Sequence, residues 1–358
     1  MRLLTVDDID ELTLGATLLG TGGGGDPYIA RLMARQAIED HGPVTVIDAA
    51  ELAPDNRVLT VAVIGAPTVI LEKVPSGAEF VGAVMSLANF LGEKPAAIMP
   101  IEVGGMNTLI PLAVAAELDL PVIDADSMRR AFPQLEMTVF TLAGVPAGPM
   151  SMADEKGNVV VFSTTTNQVS EKLARGTAIM LGLANAISCY PVTAGQIVEH
   201  GILGSMTYCT ELGKRLAAVQ RGETGAYDEF LSFANGRKYF SGKIVDLDRR
   251  TTDGFAKGTV TIEHFGDPDR TMRVEIQNEF LIAFDGDRPV ITSPDLICLL
   301  DHENAQPITT EALAYGQRVD VIGLPCAPEW HREGFLDIVG PRAFGYDVDY
   351  VSLGGGRQ

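Results

Sequence analysis

Long apolar runs are missing from this chain. No segment reaches the roughly 18 uninterrupted apolar residues that a membrane span requires. The N-terminal MRLLTVDDID carries acids before an apolar core could form, so a signal peptide is not expected. Cysteine is sparse: Cys189, Cys209, Cys298 and Cys326 are scattered without a Cys-x-x-Cys pair. That spacing argues against a disulfide framework or a structural zinc site and fits a reducing cytoplasm. Positive charge is in deficit, with 27 Lys and Arg against 47 Asp and Glu and a formal charge of −20. Such a balance repels nucleic acid and anionic membrane, so neither is an expected partner. An anionic ligand would have to be received locally, by backbone N–H groups or a few arginines. Pro/Ser-rich linkers, low-complexity tracts and repeats are also lacking. The 358 residues are enough for two domains, which are expected to pack together rather than hang on a tether.

Glycine is concentrated in one place. Residues 18–28 read LLGTGGGGDPY, with Gly20 followed by Gly22, Gly23, Gly24 and Gly25. A sharp connection between helices explains two or three of these. Four in succession are costly in backbone entropy and favour a loop that brings bare backbone close to a ligand. Asp26 and Pro27 read as the N-cap and first residue of a helix running to about Asp40, with Gly42 as its stop. A glycine loop feeding a helix N-terminus offers N–H donors and partial positive charge to an anion or to developing negative charge. The preceding segment carries Ile9, Leu12, Ala16 and Leu19 at helical spacing, whereas a Rossmann fingerprint needs a strand there. No Gly-Lys-Ser/Thr follows, which excludes a P-loop.

Strand and helix signals then alternate. Strands are expected at 44–47, 58–64, 96–101, 121–123 and 137–142, and helices at 78–91 and 108–118. This alternation predicts a mixed, mostly parallel sheet covered by helices, with ligands collecting where strands end. Residues 150–163 read as a hairpin turning at Lys156-Gly157-Asn158. Helices follow at 167–187 and 205–221, and from Lys238 onward short β-rich runs dominate, among them 258–264, 272–279, 280–285 and 318–323. The predicted architecture is an α/β domain with the glycine loop at 1–165, then a helical connector and a β-rich C-terminal domain at 166–358.

Further stretches offer chemistry. Glu102 and Asn107 flank the glycine pair of EVGGMN, one as a polar site group and the other as a helix cap. Asp124 and Asp126, two residues apart at a strand end, suit a shared proton or a metal, or else one of them caps a helix. Arg129 and Arg130 are cations for a carboxylate ligand or partners of the two aspartates. His200, between glycine-bearing turns at the domain junction, is the candidate histidine for acid–base work or metal ligation. Cys209 reads as a small buried hydrophobe, and Cys326, in the proline-held Leu324-Pro325-Cys326-Ala327-Pro328, as the more exposed cysteine. In the second domain RRTTDGF, with Thr252, either closes over a ligand or is a surface turn. Gln277-Asn278-Glu279 is a polar interruption between apolar strands that reads as a bulge or an edge.

Taken together, LLGTGGGGDPY at 18–28, EVGGMN at 102–107, DADSMRRAFPQ at 124–134, HGILGSM at 200–206, RRTTDGFAKG at 249–258 and PDLICLLD at 294–301 resemble the S-methyl thiohydantoin desulfurase family. The pieces fall in order across nearly the whole chain. Ala125 stands where the family pattern is closer to glycine. The resemblance implies the same two-domain architecture, association with hydantoinase/oxoprolinase-type proteins and a five-membered imide-like ring as substrate. It also implies removal of sulfur from C2 of a thiohydantoin to give a hydantoin. On that basis water, activated by His200 or by a divalent metal at Asp124, Asp126 and His200, attacks C2. Gly22, Gly23, Gly24 and Gly25 receive the developing charge in the manner of an oxyanion hole. Glu102 joins the catalytic set, and Asp26, Asn107, Arg129 and Thr252 join the substrate-binding set. A metal is the only cofactor expected. Expected partners are the small heterocyclic substrate, a second copy of the chain or hydantoinase-like subunits. Competing readings are a ring-opening amidohydrolase and a non-catalytic partner subunit; phosphoryl chemistry is disfavoured by the missing P-loop lysine.

Overall fold

The structure is a computed structural model. It describes residues 1–65, 69, 73, 75–252 and 255–353, with the side chains of 251–252 left out. Strand β1 (Arg2–Leu4) leads through a Thr5-capped turn into α1 (Ile9–Leu19). The helix buries Ile9, Leu12, Leu14, Ala16, Leu18 and Leu19 in the core and leaves Asp10 exposed. The glycine loop follows, then α2 (Tyr28–His41), which ends at Gly42 with φ 102°. The N-cap is Pro27, one residue later than expected, because Asp26 stays outside the helix and its Oδ1 accepts from Tyr28 N at 2.9 Å.

Strands β2 (Val44–Ile47), β3 (Arg57–Gly65), β4 (Ala97–Pro100) and β5 (Val122–Ile123) alternate with α3 (Ala78–Leu91) and α4 (Ile110–Leu118). These four strands pair in parallel in the order β2-β5-β4-β3. Buried valine, isoleucine and leucine fill both faces of this centre, as helices on each side of a parallel sheet require. The short ribbon strand β6 (Ala125–Asp126) comes next, then a helical turn α5 (Val139–Leu142) and the hairpin β7 (Met150–Ala153) and β8 (Val159–Phe162). Residues 137–142 were expected as a strand. Thr138 caps α5 instead, its hydroxyl accepting from Thr141 N at 3.1 Å, and this local bond overrides the β-propensity of Val-Phe-Thr.

The long helix expected at 167–187 stops early: α6 is Asn167–Met180, and β9 (Ala184–Ser188) follows. Gly182 and Leu183 both take positive φ, 91° and 66°, which breaks the helix. Strands β9 and β10 (Val192–Thr193) return to the first sheet beside β3, so it is parallel at the centre and antiparallel at β1 and along the β9-β7-β8 side. Next come α7 (Ala194–His200), β11 (Ile202–Leu203), which pairs with β6, and α8 (Ser205–Gln220). Gly15 of α1 and Gly213 of α8 let these two helices touch; a Cβ on Gly213 would meet Glu11 O at 1.7 Å. A helix the sequence reading did not anticipate, α9 (Ala226–Phe233), precedes the second domain.

That domain is an antiparallel sheet of β12 (Arg237–Thr252), β13 (Phe255–His264), β14 (Asp267–Gln277), β15 (Glu279–Asp285), β16 (Arg288–Thr292), β17 (Leu296–Asp301) and β18 (Arg318–Leu324), in the order β16-β15-β14-β13-β12-β18-β17. Its inner face carries a separate apolar core around Phe240, Ile262, Val274 and Val321. The break between β14 and β15 falls at Asn278, with φ 58°, rather than between residues 279 and 280. This placement puts Glu279 at the head of a buried strand.

Candidate functional site between the domains

The glycine run is where the two domains meet. Thr21 Oγ1 donates to Ile297 O at 2.6 Å and accepts from Ile297 N at 3.1 Å. Thr21 O accepts from Phe280 N, and Gly22 O from Thr310 N at 2.7 Å. The glycines are required by closeness. A Cβ on Gly22, which has φ 87°, would lie 2.4 Å from the Phe280 ring, and one on Gly23 would lie 2.1 Å from Glu279 Oε1. Gly24 and Gly25 also have positive φ, and Gly24 O accepts from Met106 N at 3.0 Å. The N–H of Gly23 turns back to Gly20 O, whereas those of Gly24 and Gly25 have no acceptor among the described residues.

Those last two glycines border a pocket of about 90 Å³, room for several waters. Its walls come from the carboxyl ends of β3 (Val63, Ile64) and β4 (Glu102), from the 132–135 segment, and from Asn278 and Glu279 of the second domain. Glu102 is buried. Asn107 fixes it: Asn107 Oδ1 accepts from Val63 N at 2.8 Å, which leaves Nδ2 to donate to Glu102 Oε1 at 2.6 Å. Asn107 is therefore not a helix cap but the clamp on a carboxylate. Burial pushes the Glu102 carboxyl up to about 7, with the Asn107 bond acting in the opposite direction. Glu279 is equally buried, and its Oε2 has no hydrogen-bond partner among the described residues. Desolvation first, then the neighbouring Glu102, holds it well above the usual carboxylate range, against the pull of Arg130.

Arg130 lies behind the pocket wall, fully buried, 4.3 Å from the Phe132 ring centroid. It donates to the carbonyls of Ala131, Pro294 and Asp295, and its Nη2 has no partner among the described residues. Burial lowers this guanidinium to about 10. The cation on the pocket itself is Arg175, held by Glu171 and by Pro133 O.

Other sequence candidates lie elsewhere. Asp126 is saturated: Oδ2 accepts from Val103 N and Arg129 N, each at 2.6 Å, and Oδ1 from Ser205 Oγ at 2.7 Å. Asp124 holds the first turn of α8 through Thr207 N at 3.0 Å. His200 ends α7, 3.7 Å from Glu199, and does not border the pocket. These three side chains face different partners, and among the described residues no group of three His, Cys, Asp or Glu is arranged to hold a metal ion. The donor set does not fit the metal site expected from sequence. Gly22, Gly23 and Asp26 sit on the loop but outside the pocket wall, Asp26 exposed. Arg129 faces a second pocket. The Thr252 side chain lies outside the described residues. Of the sequence candidates, the pocket gathers Gly24, Gly25, Glu102 and Asn107. Sequence reasoning missed Glu279 and Arg175. The polar Gln277-Asn278-Glu279 was a signal for the first; an arginine inside an amphipathic helix was none for the second.

The fold and this pocket define a two-domain protein with paired buried carboxyls at the seam. Sequence models of the S-Me-THD-like family match its two halves, the N-terminal domain over residues 7–164 and the C-terminal domain over 165–353. The chain belongs to this family, that of the S-methyl thiohydantoin desulfurases. A crystal structure of a protein from Chromobacterium violaceum is similar over 98% of this chain and 100% of its own, with a TM-score of 0.80 and 25% sequence identity. No curated protein matches significantly. No helix among the described residues is long and apolar enough to cross a membrane.

Proposed function

We propose that this protein removes sulfur hydrolytically from C2 of a thiohydantoin-type ring, releasing sulfide or methanethiol and leaving a hydantoin. The family name supports the reaction class. The single observation that carries the mechanism is the Glu102–Glu279 pair, two buried carboxyls on one small pocket with unequal proton affinities. Two such groups divide the roles of base and acid. Near neutral pH Glu102 is the one that ionises, and it takes a proton from the attacking water. Glu279, still protonated, gives its proton to the departing sulfur as the C2–S bond breaks. With the S-methyl ring, one proton of water leaves on the methanethiol sulfur and the other ends on the ring nitrogen; with the thione, both leave on sulfur as hydrogen sulfide. Glu279 regains its proton from the C2 hydroxyl as the carbonyl forms, and Glu102 gives up the one it took. Negative charge that develops during attack is received by the free N–H groups of Gly24 and Gly25. Asn107 orients the base. No step uses a metal.

The test is incubation of purified protein with a 2-thiohydantoin and with its S-methyl form, assaying free sulfide and methanethiol and weighing the product. Thiol release with an intact ring supports the proposal. A product heavier by one water with sulfur retained identifies ring opening instead, and no turnover of either compound rejects both.

A further inference from the structure

A second pocket, of about 340 Å³, lies on the other side of the Met128–Arg130 segment; Met128 borders the first pocket and Arg129 this one. Cys326 and His331 share its wall, with Cys326 Sγ 3.7 Å from His331 Nε2. Tyr350 Oη is 3.4 Å from the same nitrogen and donates to Asp295 Oδ2 at 3.1 Å. The buried Asp295 also accepts from Cys326 N at 2.8 Å and Leu353 N at 2.7 Å. The cysteine loop is thus fixed against a thiol–imidazole pair. Across the pocket, Arg129 donates to Ser205 Oγ and Leu203 O and rests over the Tyr208 ring. In a chain of charge −20, Arg129 has no carboxylate within ion-pair distance among the described residues.

We infer that Cys326 and His331 form a thiol–disulfide exchange site for small disulfides bearing carboxylates, which Arg129 receives. Burial and the adjacent Asp295 push the resting thiol up, which disfavours a standing thiolate; the nucleophile forms only as His331 Nε2, 3.7 Å away, takes the proton during attack. The thiolate attacks one sulfur of the disulfide and that S–S bond breaks. Cys326 is left in a mixed disulfide, and the departing thiolate regains the proton from His331. The disulfide is the sole oxidant. The sequence reading made Cys326 the more exposed cysteine, and it is, at 5% against no more than 2% for Cys189, Cys209 and Cys298; among the described residues those three sulfurs meet Thr60, Leu12 O and Leu18 O rather than a histidine. The site is independent of the chemistry proposed for the first pocket.

The native full-length protein is treated with 5,5′-dithiobis(2-nitrobenzoate), and separately with the uncharged 2,2′-dithiodipyridine, and the labelled peptide is identified by mass. Expected is one equivalent of released thiol per chain, all of it on Cys326. H331Q slows the reaction by about a hundredfold at neutral pH, the scale of a lost general base. R129Q slows the charged reagent by roughly threefold relative to the uncharged one, as a partly exposed ion pair would. No release from folded protein, labelling of another cysteine, or equal rates in H331Q overturns the inference. Because the wild-type stoichiometry and map are read first, a poorly folding variant does not blunt the test.

Discussion

Glu102 and Glu279 carry the same functional group in the same pocket, and their surroundings set them apart. Glu102 accepts from Asn107 at 2.6 Å, which favours its charged form. Glu279 has an oxygen without a partner among the described residues and faces a second carboxyl. The pair titrates together. Thiol release is expected to rise with pH through about 7 as Glu102 ionises and to fall at higher pH as Glu279 loses its proton. A pH–rate profile with a single rising limb contradicts this assignment. E102Q and E279Q should each lower turnover by about 10²–10⁴-fold, whereas H200N stays within a few-fold of wild type. Gly23→Ala has a different signature. Its Cβ lies 2.1 Å from Glu279 Oε1, so the carboxyl must move; turnover should fall about tenfold or more in a protein whose circular dichroism is unchanged.

At the scale of elements, the glycine loop is a seam before it is a ligand loop. Thr21 uses its hydroxyl both to donate to and to accept from Ile297, joining α1 to β17. T21V leaves both buried Ile297 groups unpaired and should cost roughly 2–4 kcal/mol, while T21S keeps the bonds; urea unfolding of the two variants separates them. This seam also explains what could be read in advance. The strands at 44–47 and the helix at 78–91 were legible because their periodicity and stops are local. The glycine run was legible as a close approach of backbone. Its partner was not, because Phe280 and Glu279 lie more than 250 positions away and nothing in the sequence pairs them. The Asp124–Asp126 spacing misled in a related way: Val103 and Ser205 come from distant stretches and, together with the nearby Arg129 N, use up Asp126. Asn107 was read either as a cap, the commonest local use of the residue, or as a substrate-binding group; its real partners, Val63 and Glu102, are set by the sheet.

For the whole molecule, the site exists only because two independently built sheets meet. The α/β domain supplies the base, its clamp and the free N–H groups, and the β domain supplies Glu279. Bringing both carboxyls into one buried seam has a cost that depends on pH. The folded Glu102 holds its proton up to about 7 against an ordinary value of 4.5, so the folded state binds more protons than the unfolded one across that window. Stability therefore falls as pH rises through it, and Glu279 acts in the same direction. E102Q removes this penalty and should be more stable than wild type at pH 8 by roughly 3 kcal/mol, with little difference at pH 4. An E102Q protein no more stable than wild type at pH 8 would show that Glu102 is not held in the way described. The central claim, that the seam carboxyls perform desulfuration, is tested most directly by methanethiol release from an S-methyl thiohydantoin with wild type, E102Q and E279Q at neutral pH. Release by wild type, lost in both folded variants, is the predicted result. Wild-type rates in either variant, or no release by wild type, would contradict it.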